Sequence, residues 1–333
     1  MLTRNLTCSL LLFSVATLSF NAFFTTTVQA DVLVVDRLSN AVYAYSDTGA
    51  YLNTVVSDST NLNAPDGLVV SPDLNHLYVA SSQNNEVVEY DYNYHTETAT
   101  NPQVIATAAN GLAMPNSMVF SPDGSKLFVA NLNGTGISQL NPDGSNAGPQ
   151  LAGGTSFGFS GLAFHGSTLL AGGFDGGGGF AGGTVAQSDA GFTSMSDLVP
   201  LNATIPGAAG VFVNGNDLYV TGLFGQSLEK FNATTGVQDA TFNVSGLAFP
   251  QGIMAAPDGQ GMLVGILGFA AGTGNISEYS YSGQLLGVFA SAGATPGFTE
   301  ATAFTHVPEP TSLALAGCGA ALLALIARRR AKR

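Results

Sequence analysis

Between Pro65 and Asp91 the chain reads PDGLVVSPDLNHLYVASSQNNEVVEYD, short apolar runs separated by polar turns. LVV follows a Pro-x-Gly turn, LYVAS follows Ser-Pro-Asp, and VVEYD follows Asn-Asn. Runs this short, rich in β-branched and aromatic residues and bounded by Gly, Pro, Asn and Asp, predict β-strands joined by tight turns. The same order returns in PNSMVFSPDGSKLFVANLNGTGISQLN, Pro115–Asn141. A unit of three or four strands has two open edges and an unburied face, so it needs copies of itself to pack against. The chain is therefore expected to be a repeat protein.

First strands align at Gly67 (GLVV), Ser117 (SMVF), Gly161 (GLAF), Gly210 (GVFV), Gly252 (GIMAA) and Ala301 (ATAF), with spacings of 50, 44, 49, 42 and 49 residues. That is the size of a four-stranded propeller blade. Second and third strands follow each anchor, and weaker fourth strands are expected at 103–107, 149–153, 197–201, 240–244 and 285–290. The sixth copy has only its first strand at the C-terminal end. DVLVVD, AVYAYSD and YLNTVVS at residues 31–57 supply the other three. Both ends then share one sheet, which closes the ring and removes its free edges. The expectation is an all-β, six-bladed β-propeller over residues 31–306, read as one domain.

Charge narrows the partners. Residues 31–307 carry three basic residues, Arg37, Lys126 and Lys230, against 21 of the 22 acids, a net charge of −18. A surface this acidic repels phosphate backbones, which argues against nucleic-acid binding. The two cysteines, Cys8 and Cys318, fall in the terminal segments, so the propeller has no disulfide, thiol nucleophile or cysteine-based metal site.

The ends carry targeting signals. Residues 1–30 combine Arg4, an apolar stretch from Leu10 to Phe24 and small residues at Val28 and Ala30, the pattern of a secretory signal peptide cleaved before Asp31. The alternative is an N-terminal membrane anchor. Residues 307–333 contain Pro308-Glu309-Pro310, a 17-residue apolar segment from Thr311 to Ala327, and a cluster of Arg328, Arg329, Arg330, Lys332 and Arg333. At about 1.5 Å per residue the apolar part spans roughly 25 Å, a marginal membrane helix with its basic end in the cytoplasm. The order of these three parts closely resembles the PEP-CTERM sorting tail of bacterial exported proteins. The resemblance implies an exosortase-type partner enzyme, transient anchoring in the inner membrane, removal of the tail and delivery to the cell surface or an exopolysaccharide matrix. A permanent membrane anchor is the alternative.

DVLVVDRLSNAVYAYSDTGAYL and LYVASSQNNEVVEYD resemble NHL-type repeats, in which an apolar strand leads through Asn-rich turns to an aromatic strand. The turns Ser121–Gly124 and Ala256–Gly259 resemble those of the wider group of six-bladed propellers that includes the calcium-dependent, gluconolactonase-like lactonases. The Gly-rich third blade and the scarcity of charge depart from that group.

The residues just before the anchors are Asp66, Asn116, Ser160, Ala209, Gln251 and Glu300, which a propeller would place in a ring near one channel mouth. Five of them offer side-chain oxygens, the donors that hard cations take. In the lactonases a channel calcium is held by Glu, Asn and Asp side chains, types that Glu300, Asn116 and Asp66 match; with Gln251 from the same ring of oxygen donors, Asp66, Asn116, Gln251 and Glu300 are the expected Ca²⁺ ring. The alternative is a polar, water-filled channel. A ring cation would polarise a lactone carbonyl, with a ring carboxylate as base. The four histidines, His76, His95, His165 and His306, do not fall on the ring and are read as solvated or turn residues, and no G-x-S-x-G or P-loop occurs. The Gly-rich stretch 172–183 and residues 268–274 are expected as loops beside the same mouth. Tyr92, Tyr94, Phe180 and Phe224 are expected near loops, as core residues or as exposed rings on which sugars stack. Three readings follow: a binding or matrix-interaction module, a metal-dependent lactonase, and a purely structural matrix component.

Overall fold

A computed structural model describes residues 32–134, 136–175, 182–267, 274–291 and the strand 301–306. The expected signal and sorting segments, 1–30 and 307–333, lie outside the described residues. Apart from two 3₁₀ turns, Ser82–Asn84 and Ala108–Asn110, the regular structure described is all strand. No helix among the described residues is long and apolar enough to cross a membrane.

Among the described residues twenty-three strands form six antiparallel sheets around one axis. Blade 1 comprises β4 (Pro65–Val70), β5 (His76–Ser81), β6 (Glu86–Asn93) and β7 (Thr98–Ala106). Blade 2 comprises β8 (Pro115–Phe120), β9 (Leu127–Asn131) and β10 (Ile137–Leu140). Blade 3 comprises β11 (Ser156–His165), β12 (Thr168–Asp175), β13 (Gly183–Ser188) and β14 (Met195–Asn202). Blade 4 comprises β15 (Ala208–Asn214), β16 (Asp217–Gly222), β17 (Ser227–Asn232) and β18 (Gln238–Ser245). Blade 5 comprises β19 (Pro250–Ala255), β20 (Gly261–Ile266), β21 (Asn275–Ser280) and β22 (Leu285–Ser291). Blade 6 joins β23 (Ala301–His306) to β1 (Val32–Asp36), β2 (Ala41–Tyr45) and β3 (Tyr51–Ser57). The closing pair runs from Val32 opposite His306 to Asp36 opposite Ala301, with a bulge between Val35 and Asp36. The expected six blades and shared last blade are therefore present.

The core lies between the blades. Second strands are flanked by a blade on each side, so β5, β9, β16 and β20 are buried almost throughout and read as continuous apolar runs. Outermost strands such as β7 and β22 are mostly exposed. One cluster packs Leu33, Val35 and Val42 of blade 6 on Leu68, Val79 and Tyr90 of blade 1. Another packs Tyr78 and Val87 on Phe120, Leu127 and Val129 across blades 1 and 2.

Blade 2 departs from expectation. Residues 149–153 form no fourth strand; Leu151 makes an isolated bridge with Ile137, using N–H···O bonds of 3.0 and 2.8 Å. Pro149 has no N–H to give a ladder, and the flanking Gly148, Gly153 and Gly154 favour irregular backbone. Side chains also tie blades together. Asn40 and Asn85, both left-handed residues in turns after second strands (φ 52° and 57°), accept from the backbone N–H of Ala64 and Met114 at 2.9 and 2.7 Å. Each bond crosses to the loop entering the next blade, which gives the Asn-rich turns of the repeat a physical role.

Candidate functional site

The anchors set the channel's width. A Cβ on Gly67 would stand 1.7 Å from the backbone oxygen of Asn116, one on Gly161 2.2 Å from that of Ala209, and one on Gly210 2.1 Å from that of Gln251. Inner strands of neighbouring blades thus touch backbone to backbone, and a larger residue has no place there. What remains is a cavity of about 180 Å³ whose wall includes Asn116, Ser117, Ser160, Gly210 and Gln251 and, among the described residues, contains no charged side chain.

The ring residues fare differently from one another. Asn116 and Ser160 meet, with the Ser160 hydroxyl donating to Asn116 Oδ1 at 3.1 Å in a buried setting. Gln251 lines the same cavity, and its backbone carbonyl accepts from the Thr221 hydroxyl at 2.9 Å. Ala209 is buried and offers no side-chain donor. Glu300 lies outside the described residues. Asp66 is fully buried and paired with Arg37, whose Nη1 donates to both carboxylate oxygens at 2.6 Å. Burial pushes the Asp66 carboxyl above the usual aspartate range, and the Arg37 charge and hydrogen bond pull it back. As placed, the described ring members are not an oxygen cage open to a divalent cation, because Asp66 already carries a guanidinium. Among the described residues no three His, Cys, Asp or Glu side chains are grouped to hold a metal.

A second, larger cavity of about 470 Å³ opens between blades 1 and 2, on the face opposite the ring. Its walls combine the turns after β4, β8 and β10 with side chains from β5, β6 and β8. In the first two turns Ser71 and Ser121 donate to Asp73 and Asp123 at 2.5 and 2.6 Å, and in the third Ser145 donates to Asp143 at 2.6 Å. These bonds favour the ionised carboxylates: all three are held below the usual aspartate range, Asp123 down to about 2. Between them, Glu89 Oε1 lies 2.8 Å from His76 Nδ1 and accepts from the Tyr78 hydroxyl at 3.3 Å. The Tyr78 hydroxyl also faces the Pro142 carbonyl at 3.2 Å, and its ring meets Phe120 edge to face. The arrangement is an acceptor-rich cleft with an aromatic floor.

This cleft was not read from the sequence as a site. Its signal was the Ser/Asn-Pro-Asp turn recurring at residues 71, 121 and 141, of which the first two are read there as turns of the repeat. His76 is not merely a turn residue, since it opens β5 and pairs with Glu89. Of the aromatics, Tyr92 is buried in the core between blades 6 and 1, Tyr94 is half-buried and Phe224 is exposed. Phe180 and the central parts of the two glycine-rich loops, 176–181 and 268–273, lie outside the described residues.

Comparison with known proteins agrees on the fold. Residues 18–165 match the family model described as SMP-30/Gluconolactonase/LRE-like region, which ends with the first strand of blade 3. No curated protein matches the chain. Among solved structures, a chain of a nidogen/laminin complex is similar with a TM-score of 0.63 at 11% identity, covering 84% of this chain and 98% of that one. A putative 6-phosphogluconolactonase from Bacteroides fragilis NCTC 9343 gives 0.54 at 14% identity, covering 86% and 99%. The calcium-binding protein regucalcin from Agrobacterium tumefaciens str. C58 gives 0.52 at 13% identity, covering 73% and 78%. At these identities the likeness concerns the fold alone.

Proposed function

We propose that the chain is an exported, surface-sorted binding module without catalytic activity, and that it takes its ligand in the cleft between blades 1 and 2. The observation that carries this is the contrast in room and chemistry. The cleft offers about 470 Å³ lined by Asp73, His76, Glu89, Asp123 and Asp143, whereas the channel offers about 180 Å³ with no charged side chain among its described wall residues. Ligand pockets are commonly about 300–1,000 Å³ with a few convergent polar groups. Ionised carboxylates accept hydrogen bonds from hydroxyls, so the class that suits the cleft is a neutral, hydroxyl-rich saccharide of an extracellular matrix. The acidic surface disfavours polyanionic polysaccharides. Export by residues 1–30 and sorting through residues 307–333 by an exosortase-type enzyme bring the module to such a matrix.

The test is glycan binding by the full-length chain and by Glu89→Gln and Asp123→Asn. The expected outcome is binding to neutral oligosaccharides, weakened about tenfold in either variant, the equivalent of one charged hydrogen bond. Binding that ignores both substitutions, or no saccharide binding at all, sinks the proposal.

The family-model match over residues 18–165 favours a second reading, a metal-dependent lactone hydrolase centred on the channel. It requires Asp66 to exchange Arg37 for a cation. Turnover of simple aldonolactones that depends on Ca²⁺ and on Asp66 would establish it in place of the first.

A further inference from the structure

Asp66 is the one carboxylate among the described ring positions; its counterparts are Asn116, Ser160, Ala209 and Gln251. It has lost all contact with solvent. A buried carboxylate of this kind needs a cation or a proton. The cation comes from the chain itself. Arg37 stands immediately after β1, in the turn that leads to β2. The position following the second strand is Ser82 in blade 1, Leu132 in blade 2, Leu223 in blade 4 and Leu267 in blade 5, so the cation is peculiar to blade 6. Asp66 is therefore met across the blade boundary, by Arg37 of blade 6. The other two basic residues of the propeller are engaged elsewhere: Lys126 with Gln139 at 3.0 Å and Lys230 with Asp239 at 2.9 Å.

From this geometry we infer that Arg37 is the resident counter-cation of the ring position Asp66: its guanidinium occupies the carboxylate that a ring-bound divalent ion would need, so this buried charge is neutralised without metal. A guanidinium stays protonated at any physiological pH and is covalently part of the chain. The charge on Asp66 is thus compensated whatever the calcium supply outside the cell. The pair also ties β4 to the blade in which the two chain ends meet, so neutralisation and ring closure share one contact. The inference is independent of what the cleft binds. It predicts that removing Arg37 makes the Asp66 site dependent on an added cation.

The experiment is thermal unfolding of the full-length chain with and without millimolar Ca²⁺, for wild type, Arg37→Ala, Asp66→Asn and the double variant. Wild type is expected to melt at one temperature in both conditions. Arg37→Ala is expected to melt lower and to recover by about 5 °C or more when Ca²⁺ is added, as ligand binding to the folded state requires. Asp66→Asn and the double variant are expected to show no Ca²⁺ response. If Arg37→Ala does not fold, the double variant decides. A folded double variant supports the inference, because an unpaired charge was the defect, and an unfolded one overturns it. The inference also falls if wild type gains stability from Ca²⁺ through Asp66, if Arg37→Ala melts like wild type, or if its loss of stability is indifferent to Ca²⁺. The first of these outcomes would advance the hydrolase reading. None of them bears on saccharide binding, so the two proposals fail separately.

Discussion

The channel and the inter-blade cleft are two cavities of one ring built under opposite constraints. At the axis, six inner strands converge, and the approach of Gly67, Gly161 and Gly210 to neighbouring backbone leaves no volume for side-chain variety. The one carboxylate described there, Asp66, is buried and tied to Arg37. Between blades 1 and 2 the walls diverge outward, and the carboxylates of Asp73, Asp123 and Asp143 sit on exposed turns. Symmetric packing therefore consumes the channel's chemical freedom, while turn residues, which pack little, keep theirs. In a propeller of this kind the fold is specified near the axis and function is free to move outward.

Two glycines give the sharpest way to break that comparison. Gly67→Ala forces a Cβ onto the Asn116 carbonyl at 1.7 Å, and both partners are backbone, so neither yields cheaply. A loss of about 3 kcal/mol or more in denaturant unfolding is expected. Gly124 borders the cleft at φ 72°, where a Cβ meets only the Pro72 ring at 3.0 Å. Gly124→Ala is expected to cost about 1 kcal/mol, the ordinary penalty for a left-handed non-glycine residue. Equal losses would show that the channel wall is no more constrained than the cleft.

Acid titration should separate the cavities next, because the shifts run in opposite directions. The turn carboxylates have folded pKa values below the unfolded value of 3.8, so the stability they contribute is present above that pH and is lost as pH falls through their folded values, toward about 2 for Asp123. Asp66 is raised above 3.8 by burial, so the folded state binds its proton first and the group's contribution is lost as pH rises through its folded value. Carboxyl chemical shifts followed by NMR from pH 7 to pH 2 are expected to show Asp66 protonating before Asp73, Asp123 and Asp143. The reverse order would mean that Arg37 outweighs burial at Asp66.

How far these sites were legible in the sequence follows from the same contrast. The anchors and the 42–50-residue spacing carried the blades and the closure, because contacts repeated around an axis leave a periodic trace. The Arg37–Asp66 pair left none, being a single event between residues 29 apart in the chain. Its one signal was that Arg37 is among only three cations in residues 31–307. The cleft was hidden for another reason. Ser71-Pro72-Asp73 and Ser121-Pro122-Asp123 are legible as turns, but that adjacent blades bring them to one cavity with Glu89 depends on tertiary packing. The absent fourth strand of blade 2 was misread because QLAG carries strand-like apolar residues while Pro149 and the glycines around it decide against the ladder.

The smallest expected effect tests whether the cleft turns are as loosely held as this account requires. Leu74 occupies in the first Ser-Pro-Asp turn the place that Gly124 occupies in the second, and at φ 63° it is equally left-handed. Leu74→Gly removes a left-handed strain of about 1–2 kcal/mol. It also forfeits the packing of a half-buried side chain against the core of blades 6 and 1, about 1 kcal/mol, and adds about 0.5–1 kcal/mol of backbone entropy to the unfolded chain. These terms nearly cancel, so unfolding stability should change by less than about 1 kcal/mol, and glycan binding should not change, since Leu74 is not part of the cleft wall. A loss of several kcal/mol would show that the turn is packed as tightly as the channel wall, and the freedom assigned here to the cleft would have to be withdrawn.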